Sequence, residues 1–446
     1  MSASTIKKIL KASLKKVVVR RFNFVFKQIL RLKIRRIRNA QDILVNALKD
    51  KKVINVLFLV IHDSIWKYEV LYRLLDRSKH FNVQIAVIPL VRDGVGQMDT
   101  YNQTLEYFKK GNYNTFGTYD AISNTWLDVK SVCNPDIVFF TNPHKLTFDG
   151  YYIDNFRDVL TCYVPYSFQV SNLYSAQFDQ PFHSKLWRQF YETNIHKELA
   201  EKFNVSKGDN VIITGYPGID MFLKSTPLFK NERSLNDPWP VRKNHKVKRV
   251  IWAPHHTIKG AGADLDYSSF LELSTYMLQL ALIKSMEIQI GFKPHPLLKE
   301  KLINHKDWGK LKTENYYTQW EVMDNTIIHN TNYDGLFAHS DAMIHDSGSF
   351  AAEYLLLNNP VMFTVNDNKV LENFNPFGKL CLQNHYLGYR EEDIEKFVNL
   401  TVLKEEDLMM VNREKFVREY CLPPNNNSAS ENIFNKLKKT LTKCVD

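Results

Sequence analysis

The chain has 446 residues, of which 44% are hydrophobic and 24% charged. That composition excludes a disordered protein, and the length exceeds one compact core, so two domains of ordinary size are expected. The net charge of +11 sits at one end: residues 1–40 hold 13 Lys and Arg and no Asp or Glu, which leaves −2 for the other 406 residues. Five scattered cysteines without a C-x-x-C pair form neither a disulfide framework nor a cysteine zinc site. No run approaches the roughly 20 apolar residues that span a bilayer, and charges break every early apolar stretch that could serve as a secretory signal. A cytoplasmic setting is expected.

The first element, within residues 1–50, is a basic amphipathic helix. Ile6, Leu10, Leu14, Val17, Val25, Ile29 and Leu32 fall three or four apart over much of it, and Lys and Arg fill most other positions. Phe22, Phe24 and Phe26 interleave with the charges. This is the pattern of a helix lying on an anionic membrane surface. A nucleic-acid helix and an organellar transit peptide compete with that reading. The near-neutral body carries no nucleic-acid motif, so no nucleic-acid partner is expected.

From Lys52 the chain alternates strand-like and helix-like segments. VINVLFLVI (Val53 to Ile61), VQIAVIPL (Val83 to Leu90), DIVFF (Asp136 to Phe140), TCYV (Thr161 to Val164) and VIIT (Val211 to Thr214) read as strands, with helical patterns at Ile65 to Ser78 and Ser184 to Phe203. This gives a first α/β domain over 51–225. Residues 226–248, rich in proline and charge, read as a linker. Strand-like runs resume at RVIWA (Arg249), EIQIGFK (Glu287), DAMI (Asp341) and VMFT (Val361), giving a second domain over 249–425. Ser428 to Leu441 reads as a helix crossing back onto the first domain, within 426–446. The expected architecture is two doubly wound Rossmann-type domains facing across a cleft, with ligands beyond the carboxyl ends of the strands.

Candidate chemistry gathers at those strand ends. AMIHDSGSFAAE (Ala342 to Glu353) hands a strand over to a helix, where unpaired amides favour an anion. Gly348 lets a ligand approach, Ser347 and Ser349 add hydroxyls, and Glu353 offers a carboxylate to ribose hydroxyls; alternatively, Ser349 is a helix cap and Glu353 a first-turn acid. WAPHHT places His255 and His256 beyond one strand, and GFKPHP places Lys293 and His295 beyond the next. Together these form a cradle for a pyrophosphate. A metal held by His255, His256, His295, His345 and Asp346 is disfavoured, because H-x-x-x-H and C-x-x-C spacings are missing. In the first domain His62, Asp63, His144, Lys145 and Tyr166 follow strands, and one of them could take a proton from an acceptor hydroxyl.

TGYPGID, IWAPHHTI, FKPHPLL and SDAMIHDSGSFAAEYLLLNNPVMF follow one another as do the motifs of the CDP-glycerol glycerophosphotransferase family of teichoic-acid and capsule synthesis, and the chain resembles that family over roughly residues 130–365. The resemblance implies a GT-B architecture, a CDP-polyol bound by the second domain and an acceptor presented by the first. It implies that Pro294-His295-Pro296 and the Asp346, Ser347 and Ser349 turn meet the donor phosphates, with Glu353 at the position of the family's acid. Two departures stand out: Gly348 within the turn, and Pro165-Tyr166 where the family has a Trp-His-Gly base motif. His144 is taken as the base, ahead of His62 and His183.

The expected reaction is transfer of a polyol phosphate, most simply glycerol phosphate, from a CDP-polyol to a hydroxyl of a glycan or lipid-linked acceptor, with release of CMP. His144, His256 and His295 are the expected catalytic groups, and His255, Lys293, Asp346, Ser347, Gly348, Ser349 and Glu353 bind the donor. A GT-B glycosyltransferase using a nucleotide sugar is the alternative, and a non-catalytic nucleotide-binding scaffold a third. No bound cofactor or protein-held metal is expected; Mg²⁺ is allowed by the chemistry without being indicated. The resemblance and the basic leader together place the protein at the cytoplasmic face of the membrane.

Overall fold

Strands buried on both faces of a parallel sheet need continuous apolar runs, and these decide where the sheets form. The computed structural model describes residues 28–92, 95–222, 236–241, 247–260, 267–330 and 333–443. Its first sheet has seven parallel strands: β1 (Ile54–Val60), β2 (Phe81–Val87), β3 (Thr115–Gly117), β4 (Ile137–Phe140), β5 (Leu160–Tyr163), β6 (Arg188–Tyr191) and β7 (Val211–Ile213). Their spatial order is 7-6-5-4-1-2-3. The second sheet has six: β8 (Lys248–Ala253), β9 (Ile288–Phe292), β10 (Thr326–Ile328), β11 (Ala342–His345), β12 (Val361–Thr364) and β13 (Tyr386–Gly388), in the order 10-9-8-11-12-13. Each sheet reverses direction once, between β1 and β4 and between β8 and β11. Loops leaving the strand ends diverge there and open a crevice.

Three segments differ from the sequence expectation. The helical stretch expected over Ser184 to Phe203 is interrupted by β6. A strand containing Arg188 and Gln189 lacks an apolar signature, yet buried Gln189 bonds Asn210 at 2.9 Å and Tyr191 at 2.9 Å. In the linker, Trp239 is buried, packs against Gly291 and donates to the Leu336 carbonyl at 3.3 Å, so residues 236–241 belong to the second domain. The leader is the third case. Residues 1–27 lie outside the described residues, but 28–48 form one helix whose Ile34, Gln41 and Leu48, seven apart, turn inward. Its Arg38 donates to the carbonyls of Leu186 (2.7 Å) and Ser184 (3.1 Å) and pairs with Asp209 (2.9 Å). Over 34–48 the expected surface segment is therefore part of the first domain.

The chain ends in the helix Ala429–Leu441, which packs on the first domain through Ile433, Leu437 and Leu441. Ser428 and Glu431 form a reciprocal capping box. Asp220 accepts the amides of Ala429 (2.9 Å) and Ser430 (2.8 Å). Gly215, at φ +87°, lies where a Cβ would come within 2.7 Å of Pro423. Both features fasten the TGYPGID turn to this returning segment.

The domains also meet along their backbones. Asn375 donates its amide to Val170 O (2.8 Å), Asn172 donates to Asn373 O (2.8 Å), and Ser171 bridges Phe374. Cys133, Cys162, Cys381 and Cys421 are buried free thiols. Among the described residues, no helix is long and apolar enough to cross a membrane.

Deleting residues 1–40 removes Ile34 and Arg38 from their seam and is expected to cost about 2–4 kcal/mol, the scale of one buried aliphatic side chain with its neighbouring hydrogen bonds. Stopping the deletion at residue 27 spares the seam. Equal urea midpoints for the two truncated proteins would contradict this assignment.

Candidate active site

The second domain's crevice is organised by one carboxylate. Asp346 is the first residue after β11, at the reversal point, and is fully buried. Its Oδ1 accepts the His255 amide at 2.5 Å, and its Oδ2 accepts the Ser269 amide at 2.7 Å and the Ser268 hydroxyl at 3.2 Å. Burial pushes its pKa up to about 7, while these donors favour the ionised form. Both oxygens are committed to holding loops. Asp346, expected to touch substrate, instead positions His255.

Held this way, His255, His256 and His295 form a cluster. Their ring centroids lie 4.3 Å (255–256), 4.1 Å (256–295) and 5.0 Å (255–295) apart. Burial, then mutual repulsion and Lys301, lower His255 to about 3; burial and Lys301 lower His256 to about 4. For His295 the drop, to about 2, comes from burial and the two neighbouring histidines. The imidazoles are thus neutral near pH 7. The Leu297 amide donates to His295 Nδ1 (3.1 Å), and a nitrogen that accepts carries no proton, so that ring presents an Nε2–H donor. His255 Nδ1 faces both the Thr257 hydroxyl (2.9 Å) and the Thr257 amide (3.4 Å). His256 Nδ1 is buried without a partner. One ring nitrogen from each histidine lies within 4.8 Å of the others, close enough for a metal ion.

Lys293 completes the group. It is 7% exposed, its ammonium stands over the rings of Tyr333 (5.4 Å) and Phe350 (5.9 Å), and burial followed by repulsion from Lys67 lowers it to about 8. No protein acceptor among the described residues takes its protons.

The turn after β11 differs from the expected helix start. Its α-helix covers only Phe350–Glu353 and continues as the 3₁₀ turn Tyr354–Leu357, so little macrodipole builds there. Ser349 makes no capping bond. The Ser347 amide is committed to His345 Nδ1 (3.2 Å); His345 Nε2 in turn meets His385 Nε2 (3.2 Å), and His385 Nδ1 donates to Cys381 O (2.9 Å). Among the described residues, no protein group accepts the amides of Gly348 and Ser349. Glu353 is closed as well: Tyr216 donates to its Oε1 at 3.0 Å and Tyr333 to its Oε2 at 2.5 Å. Lys67 reaches Tyr333 across the cleft at 2.6 Å. Sequence reasoning missed Lys67, Tyr216 and Tyr333, whose roles depend on contacts between domains.

In the first domain, the reversal between β1 and β4 opens a cavity of about 230 Å³. His144 lines it, with its Nδ1 facing the Gln180 amide at 3.3 Å, and burial lowers its pKa. No contact joins His144 to the His255 cluster. His183 is fully buried and pushed down to about 3 by burial and by His144, which removes it from the accessible groups. His62 Nδ1 accepts the Ser64 amide at 2.9 Å, and Tyr166 is raised by burial.

Comparison with solved structures gives the same two-domain fold. A variant of the wall teichoic acid polymerase TagF is 12% identical, with a TM-score of 0.55 over 95% of this chain and 98% of that one. The same polymerase soaked with CDPG scores 0.54 at the same identity and coverage. MnaA of S. aureus, in a co-structure with UDP, scores 0.52 at 14% identity, over 87% of this chain and 97% of the other. No curated protein sequence matches the chain. A sequence profile described as CDP-Glycerol:Poly(glycerophosphate) glycerophosphotransferase matches residues 188–439, more than half of the chain and including the whole second sheet with its histidines. The chain belongs to the CDP-glycerol:poly(glycerophosphate) glycerophosphotransferase family.

Proposed function

We propose that the protein transfers glycerol phosphate from CDP-glycerol to a hydroxyl of a cell-surface glycan or lipid-linked acceptor, releasing CMP. The observation that carries this reading is the grouping of His255, His256, His295 and Lys293 beyond adjacent strands at the reversal point of a domain inside the family match. The acceptor oxygen attacks the β-phosphorus, and the bond from that phosphorus to the CMP oxygen breaks. Negative charge grows on the phosphoryl oxygens and the departing CMP. Neutral imidazole N–H donors and one ammonium, already oriented and partly shielded from water, answer that charge without reorganising. The Gly348 and Ser349 amides add two donors. Glu353 acts through Tyr216 and Tyr333, holding the wall of the cleft.

His144 is proposed as the proton acceptor. It is neutral, and its lone pair is on Nδ1, so taking the hydroxyl proton there displaces the long contact to Gln180.

Three measurements test this reading. CDP-glycerol incubated with acceptor should yield CMP, and His295→Ala should slow turnover at least ~10²-fold, the scale of a lost transition-state donor. A variant within a few-fold of wild type, or UDP or GDP release from sugar nucleotides, would overturn it. The ligand favours the Lys293 ammonium, so CDP-glycerol affinity should be flat below about pH 8 and weaken above it. Lys293→Met should flatten that dependence at lower affinity, and an unchanged pH profile would remove Lys293 from the donor site.

Attachment to a membrane surface is also proposed. On the helix 28–48, Ile29 and Leu32 are exposed beside Arg31, Lys33, Arg35 and Arg36. Removing residues 1–27 and reversing those four charges to Glu should abolish co-sedimentation with anionic vesicles. Undiminished sedimentation would refute membrane attachment through this segment.

A further inference from the structure

The first domain's cavity has an uneven distribution of polar atoms. Leu59, Ile61, Ile88, Phe140, Ile153 and Phe182 supply its apolar wall. Four hydroxyls also line it, and each already donates its proton to a main-chain carbonyl. Thr141 bonds Leu59 O (2.9 Å), Thr147 bonds Pro89 O (2.8 Å), Tyr151 bonds Leu127 O (2.8 Å) and Tyr152 bonds Thr147 O (2.6 Å). Lys185 is paired with Asp154 at 2.7 Å.

Most of the unused donor capacity lies in the loop after β4. The Lys145 ammonium is exposed and stands 5.4 Å from the Tyr152 ring. Asn142 uses its Oδ1 for the His144 amide (2.6 Å), which leaves its Nδ2, and no described residue bonds His144 Nε2. The cavity therefore combines an apolar wall with hydroxyls that have already donated their protons, and it carries an unpaired positive charge on the side of the loop after β4. A bare sugar buried there would leave most of its hydroxyls without donors, a cost that an alkyl chain does not incur.

We propose that this cavity binds the apolar chain of an amphiphilic acceptor, with a phosphate or hydroxyl head at Asn142, His144 and Lys145. The inference rests on the transfer reading above for calling the ligand an acceptor, but the binding site stands on the cavity alone. With the chain seated, the attacking hydroxyl belongs to the head group beside His144, close to the lipid rather than at the far end of a long glycan.

The test is binding of decyl phosphate below its micelle concentration to the full-length protein, with glycerol phosphate as the chainless control and CDP-glycerol binding as the measure of an intact second domain. Decyl phosphate should bind at least tenfold more tightly than glycerol phosphate. Ile153→Trp, which fills the cavity from a turn, should erase that advantage while CDP-glycerol still binds. Lys145→Glu, at an exposed side chain, should weaken decyl phosphate without weakening octyl glucoside, which keeps the test decisive if the tryptophan variant misfolds. Equal binding of the two phosphates, or an undiminished chain preference in Ile153→Trp, would overturn the site. Failure of CMP release with decyl phosphate binding intact would count against the transfer reading and leave the cavity assignment standing.

Discussion

The carboxylate of Asp346 ties the second domain's crevice together. Parallel strands end in loops that diverge at the reversal point, and nothing in a sheet determines how far apart those loops settle. One buried acid, bonded to His255 N, Ser269 N and Ser268 Oγ, draws the loop after β8 and the start of the next helix onto the end of β11. The orientation of His255, and through ring contacts that of His256 and His295, follows from this tie. Burying a carboxylate is costly, and three donors offset most of that cost. The acid most prominent in the sequence motif is thus spent on architecture, and the groups left to meet a ligand are neutral imidazoles and one lysine.

The same division recurs at the domain boundary. Glu353 is buried between Tyr216 of the first domain and Tyr333 of the second, and Lys67 joins the network through Tyr333. Main-chain bonds between residues 170–172 and 373–375 run alongside it. Such directional contacts fix the relative placement of the domains more narrowly than apolar packing would, since a hydrogen bond is lost over less than an ångström of sliding. The cleft is bounded by polar fastenings, and its two ligand-facing walls are assembled from separate sheets.

The sheets were legible where strands are buried on both faces. VLFLVI and VIWA are unbroken apolar runs because neither face meets water, and the polar residues that follow them mark the strand ends. β6 was hidden because its polar members are satisfied by partners such as Asn210, which no local pattern reveals. β3, β10 and β13, like β7, are only three residues long, which leaves little for periodicity to register. The histidines could be grouped from sequence, since each follows a strand and parallel strands bring their ends together. The roles of Asp346 and Glu353 could not. The partners of Asp346 lie 77 to 91 residues earlier. Those of Glu353 lie 20 and 137 residues away. A carboxylate that organises a loop has the same letter in a sequence as one that waits for a ribose.

The returning helix at the end of the chain has a consequence for how the protein is made. Ile433, Leu437 and Leu441 share one core with Ile54, Val56 and Phe58 of β1, an interior strand of the first sheet. The first domain is thus begun by the earliest part of the body and finished by the last. During synthesis its sheet must wait, with part of one face open, while the whole second domain emerges; only the final helix can close it. The second domain's strands lie in one continuous stretch of sequence, so its sheet needs no strand from a distant part of the chain.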